Sequence, residues 1–319
     1  MSDHSSDSTI LPCGHEVLHK DQVHYCDYIS LNALSGLFVP FAGTAKERAF
    51  LHPDEHQFLL IHQAIECMFA QAYFDLKRTV GFVQEDEIAQ ADHALHRTIE
   101  WMKAIPKFMS VLKTMRPEDF AVFRMQLAPA SGAESIMYRR LEILCGLKPD
   151  SPFVRECEHD ASGNVLLQER LYTYRAFLDR NLGEGEFEPK TRWWTEELTQ
   201  LAECPSLAST FKDFLARQRM TYADLYAQVL AMKEPAPDPE QTSGVAPVVR
   251  PLAQFLNRLF ELELIFRSFR SGHSAVAKSQ IGTKPGTGHT SGYPYLRSVH
   301  DTAKFFPEIC ALYEPTQDP

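Results

Sequence analysis

His273 is the residue whose sequence setting points most directly to chemistry. It ends the apolar helical run Phe266-Arg-Ser-Phe-Arg-Ser-Gly and is soon followed by a loop-forming stretch, Ile281-Gly-Thr-Lys-Pro-Gly-Thr-Gly-His-Thr-Ser-Gly292. No cysteine or carboxylate stands near enough in sequence to complete a four-ligand zinc shell with this histidine. The pattern therefore predicts one axial bond to a haem iron, beside a flexible lid.

Two further polar residues stand in apolar surroundings. His62 lies in the middle of a long helical pattern, where it is either a hydrogen-bonded core histidine or a functional group. Arg124 ends the apolar segment Phe120-Ala-Val-Phe. A guanidinium there needs a carboxylate partner, because burying it unpaired is costly. We expect that carboxylate to come either from the protein or from a substrate.

A different chemistry is indicated by His15-Glu-Val-Leu-His19, which matches the H-E-x-x-H pattern of zinc hydrolases. This motif stands at the edge of a polar tail, and the Gly-x-x-His continuation is missing after His19. A zinc hydrolase would lose its metal on His19→Ala and would contain no haem. We keep this class as an alternative to the haem protein.

The composition excludes several classes of function. With 32 Lys and Arg against 42 Asp and Glu, the formal net charge is -10, whereas nucleic acid binding needs clustered positive charge. The sequence contains neither a run of about 18 apolar residues that could span a membrane nor a signal peptide. The seven scattered cysteines indicate reduced thiols. We expect a cytoplasmic protein that binds neither nucleic acid nor membrane.

The elements that must position these residues are helices. Polar residues 1–20 predict a flexible arm, and residues 21–319 predict a single domain. Apolar spacing predicts an all-α bundle. The expected helices cover residues 53–78, 87–114, 117–123, 135–144, 167–182, 193–232 and 251–270. Gly146 is the expected C-cap after the fourth of these helices.

Five segments together resemble the motifs of tryptophan 2,3-dioxygenases, in family order. They are Tyr25-Cys-Asp-Tyr28-Ile29-Ser-Leu, Asp54-Glu-His-Gln-Phe58-Leu-Leu-Ile-His62-Gln-Ala-Ile-Glu66, Leu112-Lys-Thr-Met-Arg-Pro-Glu-Asp-Phe-Ala-Val-Phe-Arg124, Ala128-Pro-Ala-Ser-Gly132 and residues 266–297. The resemblance touches about a third of the chain, but it runs from end to end. It implies a helical bundle that encloses haem b.

The resemblance also implies roles for individual residues. His273 would be the proximal ligand of the haem iron, with Ser131 and Gly132 at the cofactor. His62 would be the distal histidine that faces the indole N–H of the substrate. The remaining substrate contacts would be made by Phe58 as a wall of the pocket, and by Arg124 and Thr287 at the carboxylate and ammonium ends.

Part of the pocket is expected to come from another subunit. In the family, the Tyr-x-x-Tyr segment reaches into a neighbouring subunit, which implies that Tyr25, Tyr28 and Ile29 complete the site in trans. The resemblance therefore implies a homotetramer. Its reaction would use O2 to cleave the indole C2–C3 bond of L-tryptophan or a close analogue and give an N-formylkynurenine.

The sequence departs from the family pattern at several positions. The family's Gly-Thr-Gly-Gly-Ser-Ser-Gly has His289 at its fourth position here, and Glu-Leu-Trp-Phe-Lys has become Glu66-Cys-Met-Phe-Ala70. Loss of the tryptophan ring predicts a wider pocket. That pocket would suit a substituted tryptophan or another aromatic amino acid. Two alternatives to ring cleavage follow: a haem monooxygenase that inserts one oxygen, and a haem sensor in which His62 blocks O2.

Overall fold

The computed structural model describes residues 28–30, 34, 37, 50–127, 132–159, 165–176, 190–233, 249–286 and 292–314. The chain divides into two compact units, Met1–Leu60 and Ile61–Pro319. The predicted arm, residues 1–20, lies outside the described residues, so the arm and the single domain after it stay predictions. None of the helices in the described ranges combines the length and apolar character that a bilayer crossing requires.

Helices dominate the described chain, as predicted. We label them in chain order as α1 (Pro53–Gln84), α2 (Ile88–Val111), α3 (Pro117–Arg124), α4 (Ile136–Cys145), α5 (Lys190–Glu203), α6 (Leu207–Arg217), α7 (Tyr222–Lys233), α8 (Val249–Ile281), α9 (Tyr293–Thr302) and α10 (Pro307–Tyr313). Short 3₁₀ turns, Leu112–Thr114 and Gly132–Glu134, precede α3 and α4. The all-α prediction is confirmed.

Several helix boundaries follow from simple local rules. Asp54 and Glu55 in the first turn of α1 favour the positive end of the helix dipole. Gly146 caps α4 with φ 151°, as predicted. A side chain there would meet Ala208 Cβ at 2.7 Å and the Phe305 carbonyl at 2.9 Å, so only glycine fits.

The expected end of the helix before His273 is wrong. The pattern predicted a helix to Arg270, but α8 continues to Ile281 and places His273 well inside it. Gly272 does not break the helix, and Val276 supplies a further buried apolar residue in the next turn. His273 is therefore held by regular backbone hydrogen bonds on both sides.

The helix predicted over residues 167–182 is also wrong. Strand β1 (Pro152–His159) pairs antiparallel with β2 (Val165–Thr173), with Pro152 opposite Thr173 and His159 opposite Val165. Between the strands the sequence reads Asp-Ala-Ser-Gly-Asn, residue types that favour turns. Pairing with a strand close in sequence has overridden the helical spacing of the leucines.

The core of the second unit is built around α8. This helix packs against α2 and also contacts α3, α7, α9 and α10. Its buried residues include Phe255, Leu259, Leu262 and Phe266. A 33-residue helix held on several sides is a rigid support, and it carries His273.

Candidate functional site

The side chain of His273 is partly buried, and part of its surface remains accessible. Its ring centroid lies 6.0 Å from that of Phe269. Burial, together with the nearby charges of His62 and Arg139, lowers the pKa of His273 to about 4. The side chain is therefore neutral at physiological pH, with a nitrogen lone pair available to a metal.

His62 and His273 belong to one site. They stand on α1 and α8, far apart in sequence, yet the charge of His62 acts on the pKa of His273. His62 is solvent-exposed, so the interpretation as a core histidine is wrong. The buried neighbours Ile61 and Ile65 anchor this part of α1 and leave His62 facing accessible space.

Gly132 lies beside the His273 ring. A Cβ atom built on Gly132 would stand 3.8 Å from Cε1 of His273. This places the turn before α4 against the histidine, while the role of Gly132 at a cofactor stays a prediction. Ser131 lies outside the described residues, so its role at a cofactor stays a prediction.

Arg124 reaches the loop that follows α8. Its guanidinium donates a hydrogen bond to the main-chain carbonyl of Pro285. The partner is thus a carbonyl, where the sequence predicted a carboxylate. Thr287 lies outside the described residues, but Pro285 precedes it by two positions. Arg124 and the segment leading to Thr287 are therefore neighbours.

The two ends of this loop meet at Gly292. Its backbone has φ 72° and ψ -123°, a conformation that side chains other than glycine rarely adopt. A Cβ there would stand 2.8 Å from the Lys284 carbonyl and 3.3 Å from the Gly286 nitrogen. The backbone at Gly292 therefore passes so close to Lys284 and Gly286 that only glycine fits there.

Gln280 ties the end of α8 to the segment before α3. Its amide Nε2 donates to the carbonyls of Leu112 at 3.2 Å and Met115 at 2.9 Å. Arg124 is the last residue of α3. These two hydrogen bonds therefore hold the end of α8, where the loop begins, close to the helix that carries Arg124.

A buried charge network lies behind His273. Glu142 is fully buried and pairs with Arg139 at 2.6 Å and with Arg270 at 3.1 Å. Arg270 also donates to the Tyr138 hydroxyl at 3.2 Å, and the Tyr174 hydroxyl donates to Glu142 at 3.3 Å. The network joins α4, α8 and the end of the β-hairpin. The positive charge of its Arg139 helps to lower the pKa of His273.

Other predicted residues lie in the first unit or outside the described chain. Tyr28 is exposed, and Ile29 and Phe58 are partly buried. Their relation to His273 stays a prediction, and Tyr25 lies outside the described residues. So do His15 and His19 of the zinc motif. Within the described ranges, no group of three or more His, Cys, Asp or Glu side chains could hold a metal ion.

Comparison with known proteins identifies the chain's family. The sequence profile of the family described as tryptophan 2,3-dioxygenase matches residues 12–184, more than half of the 319 residues. The chain belongs to the tryptophan 2,3-dioxygenase family.

Individual tryptophan 2,3-dioxygenases are similar over most of their length. The Bdellovibrio bacteriovorus protein is 25% identical, over 91% of this chain and 92% of its own. The Bradyrhizobium diazoefficiens protein is 26% identical, over 96% and 97% respectively. The mouse protein is 28% identical, over 81% and 74%.

Sequence reasoning missed how this tryptophan 2,3-dioxygenase family member supports its histidines. Glu66, Arg139 and Glu142 were given no role, although Glu66 follows His62 by one helical turn. Arg139 and Glu142, three residues apart in the apolar helix α4, carried a signal as well, because buried charges need partners.

Proposed function

We propose that this protein is a haem-dependent dioxygenase that cleaves the indole C2–C3 bond of L-tryptophan, or a close analogue, with O2 to give an N-formylkynurenine. The observation that carries this proposal is the electrostatic proximity of His62 and His273 in a member of this family. A histidine to bind iron and a second histidine to meet the substrate would then share one site.

The residues present fit haem b. His273 is neutral and keeps accessible surface, so it would hold the haem iron through a ring nitrogen. Gly132, at the ring's edge, has no side chain to obstruct a flat cofactor there. Haem b bound to His273 would supply the activation of O2. Ser131 would contact the same cofactor.

The chain's own residues would orient the substrate. The exposed imidazole of His62 would accept the indole N–H hydrogen bond and so fix the ring. Arg124 would bind the substrate carboxylate, and a guanidinium has five N–H donors, enough to serve both that group and Pro285. Thr287 would hold the ammonium group, while its loop excludes water.

The resemblance to the family supplies the remaining substrate contacts. Phe58 would form a wall for the indole, and Tyr25, Tyr28 and Ile29 would reach the site of a neighbouring subunit in a homotetramer. Tyr28 is 79% exposed, which supports its availability to a partner. An aromatic amino acid and O2 are thus the proposed small-molecule partners, in a cytoplasmic protein.

The names of the relatives support ring cleavage over the other readings. Insertion of one oxygen rested on departures such as Met68 and His289, and the relatives do not favour it. The zinc hydrolase rested on His15 and His19, which fall inside the family match. The haem sensor can be distinguished from the dioxygenase by experiment, because it requires His62 to bind the iron.

An optical spectrum and a product mass test the proposal. The purified protein, supplemented with haem, should show a Soret band that shifts on adding L-tryptophan. Reaction with O2 should give a product heavier by two oxygen atoms, whereas a gain of one oxygen would contradict cleavage. His62→Ala should leave the ligand number of the iron unchanged, and a change from six to five ligands would favour the sensor.

A further inference from the structure

Glu66 connects the helix that carries His62 to the turn beside His273. It follows His62 by one turn of α1, and its carboxylate accepts hydrogen bonds from the Ser135 hydroxyl and the Met137 main-chain N–H. Partial burial raises the pKa of Glu66, and these hydrogen bonds offset that rise in part. Two donors from one turn of α4 therefore converge on one carboxylate.

Ser135, which bonds Glu66, also bonds the main chain of Gly132. Its side chain is the N-cap of α4 and accepts from the Tyr138 N–H at 3.3 Å. Its main-chain N–H donates to the Gly132 carbonyl at 3.3 Å. Gly132 in turn lies against Cε1 of His273. A continuous set of contacts thus leads from Glu66 to the edge of the His273 ring.

We propose that Glu66 is a positioning residue that holds the Gly132–Ser135 turn against His273, at a fixed distance from the helix that carries His62. Its effect on catalysis rests on the proposed function, but its effect on the turn does not. Glu66 acts through its hydrogen bond with Ser135.

Hydrogen exchange of the ligand-free full chain tests directly whether Glu66 holds the Gly132–Ser135 turn in place. Glu66→Ala should speed amide exchange in residues 132–139 by about tenfold, since it removes a charge-assisted hydrogen bond. Ser135→Ala removes the same bond and also the N-cap hydrogen bond from the Tyr138 N–H, so its effect should be at least as large. The double variant should fall short of the product of the two single effects, because both variants remove the bond between Glu66 and Ser135. Glu66→Gln retains an acceptor and should stay within about threefold of the wild type.

Glu197→Gln is the matched control. Glu197 accepts from Arg140 and so contacts α4 from α5, on a side chain adjacent to Arg139 but outside the Gly132 turn. It should leave exchange in residues 132–135 unchanged. Equal exchange in wild type and Glu66→Ala, or equal acceleration by Glu197→Gln, would overturn the proposal.

The haem-loaded protein separates this inference from the proposed function. There Glu66→Ala should shift the iron–histidine stretching band in the resonance Raman spectrum of the ferrous protein, and Glu66→Gln should restore it. A wild-type protein that binds no haem would defeat the proposed function and leave the exchange result standing. A band that stays unchanged in Glu66→Ala would overturn the positioning role at His273.

Discussion

Arg124 donates its hydrogen bond to the carbonyl of Pro285, at the start of the loop that contains Thr287. The proposed carboxylate-binding group and the start of this loop are therefore in contact. A substrate carboxylate that binds Arg124 would share the guanidinium with Pro285, so substrate binding and the position of the loop would be coupled.

Removing this guanidinium should weaken substrate binding selectively. For Arg124→Ala we expect kcat/KM for L-tryptophan to fall roughly 30- to 150-fold, because a hydrogen bond between charged groups contributes about 2–3 kcal/mol. Tryptamine, which lacks the carboxylate, should lose far less, and steady-state kinetics with both substrates measure the difference. Arg116→Ala, an exposed arginine at the N-cap of the same helix, should behave as wild type.

Glu142 should be essential for stability. Glu142→Gln leaves Arg139 and Arg270 buried without their carboxylate, so we expect the free energy of unfolding to fall by about 3–5 kcal/mol. Urea denaturation gives this value. The control, Glu100→Gln, removes a surface pair with Lys103 and should change the free energy by less than about 0.5 kcal/mol. Similar losses in both variants would show that burial of the network is unimportant.

A methyl group at Gly292 should lower the stability of the protein. Gly292→Ala forces a Cβ to within 2.8 Å of the Lys284 carbonyl in a backbone conformation reserved for glycine. We expect a loss of about 1–3 kcal/mol in unfolding free energy and faster proteolysis within residues 287–291. Gly81→Ala, in α1 with no atom within 4 Å of the new Cβ, should instead stabilise by about 0.5–1 kcal/mol.

The described cysteines should differ in reactivity. Burial raises the pKa of Cys310 to about 11 and that of Cys145 well above its usual value, whereas Cys67 and Cys204 are exposed. At pH 8, iodoacetamide mapped by mass spectrometry should label the exposed pair. Because the pKa of Cys310 is about 11 in the folded protein, its thiolate at pH 8 is roughly a hundredfold scarcer than in the unfolded chain.

The same shift predicts a pH dependence of stability. Because the folded pKa of Cys310 lies above the unfolded value, its contribution to stability is present below about pH 9 and is lost as pH rises toward about 11. Cys310→Ser should flatten this part of the stability curve in urea titrations at successive pH values. An identical curve for the variant would contradict the assignment.

The sequence predicted the helices well because their apolar spacing is local. Residues 135–144 and the cap at Gly146 are examples, since spacing and a glycine suffice to place them. The β-hairpin escaped prediction, since its strands depend on each other rather than on their own periodicity. The end of α8 was misplaced because glycine alone is a weak stop signal inside a packed helix.

The site was predictable where a polar residue stands in an apolar setting or where residues match a family motif. His273, His62 and Arg124 stood out by their setting, and Gly132 was named through resemblance. The structure brings His62 and Gly132 to His273. The bond between Glu66 and Ser135 joins residues 69 positions apart. Its donor and acceptor are common surface types, so pairing in three dimensions was needed to reveal it.

The separation of His273 from the loop has an evolutionary consequence. Both belong to α8 or its end, about 12 Å apart along the axis at 1.5 Å per residue, and Gln280 fastens the helix just before the loop begins. Mutations after Gln280 can accumulate without displacing His273, the proposed iron ligand. Under the proposed function, substrate preference could therefore diverge while cofactor binding is inherited intact, and the departure at His289 lies after Gln280.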